Sequence, residues 1–292
     1  MTVWRLSDRA LDLPPPLAAG IVNASADSFF EGARSATPQD AVDHGLALAS
    51  AGFDLLDIGA VPAASGAPVS ADEEAARLIP VVEGLARGSG VPLSVDTFQP
   101  EVARRALDAG AVAINDISGG DAEMWDLVAT RGCGYVLMHI EGPPRSDRSP
   151  SGHADPVGHL LRWFSDRMEA AVGRSIKEEQ IALDPGLDFD LSVADDLRIL
   201  AGLGQLRALG RPLFVALSRK DFLGAVLAGS WESRAPAADR EWATASATAL
   251  AVAEGADVLR LHDRSALDAL RVAAAIHGVG RNVPDAAPAA RG

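Results

Sequence analysis

Eight short apolar runs, each closing on a polar or charged residue, recur along nearly the whole chain and narrow what it can fold into. They are Gly20-Ile21-Val22-Asn23, Leu55-Leu56-Asp57, Leu93-Ser94-Val95-Asp96, Ala113-Ile114-Asn115-Asp116 and Val136-Leu137-Met138-His139. Ile181-Ala182-Leu183-Asp184, Leu213-Phe214-Val215-Ala216-Leu217-Ser218 and Val258-Leu259-Arg260-Leu261-His262 complete the set. Short continuous hydrophobic runs are the signature of strands buried on both faces. Ala- and Leu-rich stretches with helical spacing separate them, so the order reads β-α repeated. The predicted class is α/β, a single-domain (β/α)8 TIM barrel. In that fold the C-terminal strand ends share one rim, where active sites sit. The polar endings therefore predict a ring of Asn, Asp, His, Ser-Arg-Lys and Arg-X-His around one mouth.

With 292 residues and 48% hydrophobic content, the chain is long enough for one such barrel. A lead-in at 1–17, a barrel at 18–280 and a disordered tail at 281–292 are expected. A net charge of −14 argues against nucleic acid or an anionic membrane as a partner. An anionic substrate then needs a locally basic mouth, which Arg219, Lys220 and Arg260 can supply. The one cysteine, Cys133, excludes a disulfide framework within the chain. No signal-like N-terminus and no membrane-length apolar stretch is visible, so a soluble cytoplasmic protein is expected.

Helices are predicted at Pro38–Ala51 behind Thr37, at Glu74–Arg87 behind a Ser70–Glu73 capping box, and at Pro100–Ala109. Others fall near Ala122–Arg131, Val157–Ser175, Ala194–Leu209, Trp242–Glu254 and Ser265–His277. Long βα connections at Ala24–Ser35, Gly59–Val69, Glu141–Pro156 and Leu187–Val193 are the candidate substrate loops. Gly229–Arg240 is read as a surface excursion or a subunit contact.

Asp96, Asp184, Asn115 and Lys220 on one rim suit a flat heterocycle with several ring N–H and C=O groups. A carboxylate takes two donors of a guanidine-like edge, and an amide serves a mixed edge. For a single strand-terminal Asp, capping its own turn is the better reading; four such groups at one mouth favour a ligand. Arg260 and His262 share a face and can hold an anionic leaving group, or Arg260 can pair with a rim Asp beside a structural His262. His139 and His262 invite a metal reading, but no His-X-His or His-Glu-X-X-His spacing supports a dedicated zinc centre. Mg²⁺ held through Asn23 together with a substrate diphosphate fits hard-cation chemistry better. Gly202-Leu203-Gly204 does not follow a strand and is no dinucleotide fingerprint. Ser28 and Ser218 lack a nucleophile-elbow context.

Taken together, the motifs resemble those of the dihydropteroate synthases and, more broadly, the pterin-binding barrels, from about Ile21 to about Ile276. The resemblance rests on residues 21–29, Asp57-Ile58-Gly59, Ser94-Val95-Asp96-Thr97 and Ile114 to Gly120. It continues in Leu137-Met138-His139, Leu183-Asp184-Pro185-Gly186, Ser218 to Gly224 and Leu259 to Asp263. It implies a transferase that joins a dihydropterin hydroxymethyl diphosphate to p-aminobenzoate or a related amine and releases diphosphate. By position, Asp96, Asn115, Asp184 and Lys220 would bind the pterin, with Met138 packing on its face. Asn23 would help hold Mg²⁺, and Arg260 and His262 the diphosphate. Ser218, Arg219 and Lys220 would border the amine, while Asp27 and Phe29 would lie in a first loop over the reacting centre. Asp27, Asp96 and Lys220 are thus the implied catalytic groups, and a homodimer is implied as well. A non-catalytic pterin-binding paralogue and a methylfolate-dependent methyltransferase are the alternatives.

Three stretches depart from the family pattern. The second loop, usually Gly-Gly-Glu-Ser-Thr-Arg-Pro-Gly, is Gly59 to Gly66 here, with Ala63 and Ala64 at the Thr and Arg positions. The first loop is altered at Ser25 to Ala33. After the sixth strand the usual Gly-Phe-Gly-Lys is Asp188-Phe189-Asp190-Leu191. Hydrogen bonds to charged groups contribute about 1.5–3 kcal/mol each, so the Thr–Arg replacement weakens the expected grip on diphosphate.

Overall fold

The chain opens with an antiparallel hairpin, β1 (Thr2–Arg5) and β2 (Ala10–Leu13). The computed structural model describes residues 2–24, 37–63, 66–146 and 152–278. Among them, eight parallel strands form one sheet: β3 (Leu17–Asn23), β4 (Leu55–Gly59), β5 (Leu93–Asp96), β6 (Ala113–Asp116), β7 (Gly134–Met138), β8 (Ile181–Asp184), β9 (Phe214–Ala216) and β10 (Val258–Leu261). Their order is β8-β7-β6-β5-β4-β3-β10-β9, and a parallel bridge from Leu183 to Leu213 closes the ring. The predicted TIM barrel is the observed fold. Residues 279–292, including the expected tail, lie outside the described residues.

Helices α1 (Pro38–Ala51), α2 (Ala71–Gly88), α3 (Pro100–Asp108), α4 (Ala122–Arg131) and α5 (Pro156–Gly173) follow β3 to β7 in turn. Then come α6 (Val193–Ala201), α7 (Asp221–Ala228), α8 (Glu241–Ala253) and α9 (Arg264–Ile276). The capping signals act as the sequence suggests. Thr37 and Asp40 close a capping box on α1, and Ser70 and Glu73 close one on α2. Two helical expectations change. The stretch expected as one helix from 194 to 209 stops at Gly202 and continues as a 3₁₀ turn, Leu203–Leu209. Helix α7 was not anticipated, because its Phe222-Leu223-Gly224-Ala225-Val226-Leu227 run is continuously apolar and shows no polar face.

Strand residues alternate between two cores. Outward positions such as Val22, Leu56, Ile58, Val95, Ile114, Leu137, Leu183, Val215 and Leu259 pack beneath the helices. Inward positions Ala19, Leu55, Ala113, Val136, Ala182, Phe214 and Val258 fill the barrel floor with Trp4, Leu6 and Leu13 of the hairpin. Trp4 is fully buried, packs edge-on against Phe214 and donates from Nε1 to the Gln180 carbonyl (2.9 Å). The hairpin therefore seals one end of the barrel and leaves the other as the open mouth.

Candidate functional site

Two residues further along most strands the same inward faces reach the mouth, where polar side chains replace most of the apolar ones. Leu55 is followed by Asp57, Ser94 by Asp96, Ala113 by Asn115, Val136 by Met138, Ala182 by Asp184 and Val258 by Arg260. Strand register sets Asn23 beside Gly59, Gly59 beside Asp96 and Asp96 beside Asn115, and separately Met138 beside Asp184. A cavity of about 200 Å³ opens there, lined by Asp96, Asn115, Met138, Asp184, Arg219, Lys220 and Arg260 among the residues expected from sequence. Its apolar surface comes from Met138, Ile117 and Phe189, which pack together with Ile140. An apolar cluster beside four hydrogen-bonding groups suits a planar, polar-edged ring.

Arg260 organises one side of the mouth. Its Nε donates to Asp57 Oδ2 (2.5 Å) and its Nη2 to Asp96 Oδ2 (2.8 Å). Asn115 Nδ2 donates to the same Asp57 oxygen (3.0 Å), which orients the amide. Asp57 is fully buried, so one carboxylate sets both the guanidinium and the amide while remaining out of the cavity lining. Sequence reading counted Asp57 in the ring of strand ends but gave it no role in the site. Desolvation raises Asp96 to about 7, against the pull of Arg260 and with the push of Asp57. Burial also lifts Asp184 to about 6, opposed by the Gly186 N–H and by Lys220. Asp184 Oδ1 accepts that N–H at 2.9 Å, so it caps its own turn and faces the cavity at once.

Gly186 is required at this turn. Its φ is +68°, and a Cβ there would lie 2.0 Å from the His139 carbonyl oxygen.

Lys220 donates to the Leu187 carbonyl (2.9 Å), and its Nζ lies 4.4 Å from the centre of the Phe189 ring. One of the acids that depart from the family pattern after β8, Asp188, serves this arrangement. Asp188, in the left-handed region at φ +70°, accepts from the backbone N–H groups of Asp221 (2.5 Å) and Phe222 (2.8 Å). It thereby caps the N-terminus of α7, which Lys220 precedes without a side-chain cap of its own.

Other predicted residues lie around the cavity. Ser218 Oγ and His262 Nδ1 meet at 3.0 Å, and neither lines the cavity. Arg260 and His262 therefore do not converge on one point: the first turns inward, the second toward the end of β9. Burial, then Arg219 and Arg260, push His262 down to about 3, leaving a neutral ring. Arg219 pairs with Asp263, its backbone N–H donates to Thr244 Oγ1 (3.0 Å), and its carbonyl accepts from Arg240 (2.8 Å). Asn23 is half-buried at the end of β3. Asp27 and Phe29 lie outside the described residues, as does Ala64. Arg145, which sequence reading passed over, reaches from the loop after β7 to the second loop, donating to the carbonyls of Pro62 and Ala67. Ala63 of that loop lines the cavity.

Comparison with known proteins places this geometry. The model of the pterin binding enzyme family matches residues 19–262. Dihydropteroate synthase of Mycobacterium leprae is 37% identical over 272 residues, covering 91% of this chain and 95% of that one. Among solved structures, dihydropteroate synthase of Xanthomonas albilineans with 4-aminobenzoic acid superposes with a TM-score of 0.84 at 39% identity, covering 95% and 98% of the two chains. The same enzyme in complex with 7,8-dihydropteroate gives a TM-score of 0.79 at 37% identity, covering 96% and 100%.

Proposed function

The chain belongs to the pterin-binding enzyme family, alongside its dihydropteroate synthases, and on that premise we propose that it condenses a dihydropterin hydroxymethyl diphosphate with p-aminobenzoate. The observation that carries the reading is the cavity that unites Asp96, Asn115, Asp184 and Lys220 against Met138 and Phe189. The carboxylates accept ring N–H groups, the ammonium donates to a ring carbonyl, and Met138 and Phe189 cover the ring faces.

In the reaction the C–O bond to diphosphate breaks with both electrons leaving on oxygen. The amine lone pair then forms the new C–N bond, and the amine proton passes to solvent or to the departing diphosphate. No protein nucleophile is needed. Asp96 and Asp184 supply a fixed negative field around the carbon that becomes electron-poor, and Lys220 and Arg219 offset charge on the leaving side.

Mg²⁺ fits the donors at this mouth. Asn23 offers a neutral amide oxygen at the end of β3, and Mg²⁺ is held by few protein oxygens together with waters and substrate phosphates. Bound there, the ion would supply Lewis-acid stabilisation of the diphosphate, and Asn23 would help hold it.

A homodimer is supported by an apolar groove between α8 and α9, where Trp242 is 82% and Ile276 74% exposed. A reducing, cytoplasmic setting is supported by Cys133, a buried free thiol. Among the described residues no helix is long and apolar enough to cross a membrane.

The test is turnover of dihydropterin diphosphate with Mg²⁺ and p-aminobenzoate, followed by pteroate and diphosphate release. Product formation that is lost in Asp96→Ala and Lys220→Ala is expected. Pterin binding without product at high enzyme would leave the sequestering paralogue in its place.

A further inference from the structure

The loop after β7 gathers three histidines and a glutamate that the pterin cavity does not use. His139, fully buried, ends the apolar run of β7, and Glu141 lies two residues on, at the start of the loop. His159 stands in the first turn of α5, one turn before Trp163, whose ring packs edge-on to His139 at 4.9 Å. His139 and His159 approach Nε2 to Nε2 at 3.2 Å, and His159 Nε2 lies 3.3 Å from Glu141 Oε1. The ligand atoms of all three residues lie within 4.8 Å of one another.

The His139–His159 and His159–Glu141 separations match two edges of a coordination tetrahedron. Metal–ligand bonds of roughly 2.0–2.1 Å in tetrahedral geometry set neighbouring ligand atoms about 3.3–3.4 Å apart. Two imidazoles and one carboxylate, with a fourth position for water, are a zinc-type ligand set. Nitrogen-rich donors also favour late first-row cations over Mg²⁺. His153 stacks on His159 with ring centres 4.2 Å apart, and its Nε2 contacts the same Glu141 oxygen at 2.5 Å. That contact is too short for a tetrahedral edge and is what an outer partner of a ligating carboxylate makes.

We propose that His139, Glu141 and His159 bind a divalent late first-row cation, zinc foremost, with His153 holding Glu141 in place. The ion would tie the end of β7, the loop behind it and the first turn of α5 together, next to Met138 of the cavity. This goes beyond the pterin chemistry and does not depend on it.

The experiment uses the full-length protein, stripped with chelator and titrated with Co²⁺ in excess Mg²⁺. One Co²⁺ per chain should give the intense visible ligand-field bands of a four-coordinate ion, and Zn²⁺ should bleach them. His159→Gln and Glu141→Gln should each weaken Co²⁺ binding by about a hundredfold, and His153→Gln by about tenfold. Circular dichroism verifies that each variant is folded, and pterin binding to the metal-free protein separates this result from the fate of the synthase reading. Only weak six-coordinate bands, or equal Co²⁺ affinity in wild type and a folded His159→Gln, would overturn the proposal. The four side chains would then be a hydrogen-bonded histidine pair beside an ion pair.

Discussion

Arg260 at the end of β10 and Asp96 at the end of β5 meet at 2.8 Å across the mouth of the barrel, 164 residues apart in the chain. The same guanidinium holds Asp57, so one cation spans a fully buried acid and a part-buried one and offsets part of the charge on the wall where the ring edge is expected to dock.

Removing that cation should cost stability before it costs chemistry. Arg260→Ala leaves Asp57, fully buried, and Asp96 without their partner. Breaking one side of a buried ion pair typically costs about 3–5 kcal/mol. A denaturation midpoint lowered to that extent is expected, with Asp57→Asn in the same background recovering part of it. An unfolding curve unchanged by Arg260→Ala would show that the acids are already neutral or solvated.

The two raised carboxyls predict opposite pH slopes for the empty and the occupied protein. Asp184 sits at about 6 and Asp96 at about 7 when folded, against about 3.9 for an unfolded aspartate. With the folded value above the unfolded one, the folded state binds the extra proton. The stability from these groups is complete below about pH 3.9 and is lost as pH rises through 6 to 7. A pterin whose N–H groups seek carboxylates should do the reverse, binding at least about tenfold more tightly at pH 8 than at pH 5. Calorimetric titration of a pterin across that range checks it, and Asp184→Asn should flatten both slopes.

How much of this was legible in the chain follows from the period of a strand. Most inward residues of the floor are followed two positions later by a mouth residue, so Asp96, Asn115, Asp184 and Arg260 could be placed on one rim from spacing alone. The same spacing put His139 there, whereas Met138, which lines the cavity, came only from the resemblance. What these side chains touch could not be read from spacing. Arg260 pairs with acids far away in sequence, and whether it faces a ligand or a carboxylate is settled only by the closed ring. From sequence Asp188 is only a departure from the family pattern, since its partners, the N–H groups of Asp221 and Phe222, begin a helix with no polar face to announce it. The hairpin was equally hidden, since strands of four residues carry too short an alternation to stand out. The histidine cluster escaped because its ligands come from a strand end, a loop and a helix, a pattern that no local spacing rule describes.

Capping by Asp188 yields its own prediction. Losing an N-cap carboxylate costs about 0.5–2 kcal/mol, and here the first turn of α7 directly follows Lys220. Asp188→Ala should lower stability by that amount and weaken pterin binding through a displaced Lys220. Asp188→Asn keeps one oxygen to accept one of the two N–H groups but turns an NH2 donor toward the other, so it should restore only part of both. If Asn and Ala behave alike, negative charge rather than capping is what the site uses.

Arg145 accounts for how the second loop is held without the family's Thr–Arg pair. Its guanidinium bridges the carbonyls of Pro62 and Ala67, on either side of the segment that contains Ala63 and Ala64. Hydrogen bonds to a charged group contribute about 1.5–3 kcal/mol each, so two of them suffice to bias one loop geometry. Arg145→Ala should therefore raise KM for the diphosphate substrate by about tenfold or more while leaving the binding of a pterin without diphosphate unchanged. Arg145→Lys cannot bridge two carbonyls through a planar fork and should recover little. Installing Ala63→Thr and Ala64→Arg in the Arg145→Ala background should then lower KM again, because the loop would regain donors of its own. If that double replacement leaves KM where Arg145→Ala put it, the loop holds diphosphate by some means other than the donors it carries.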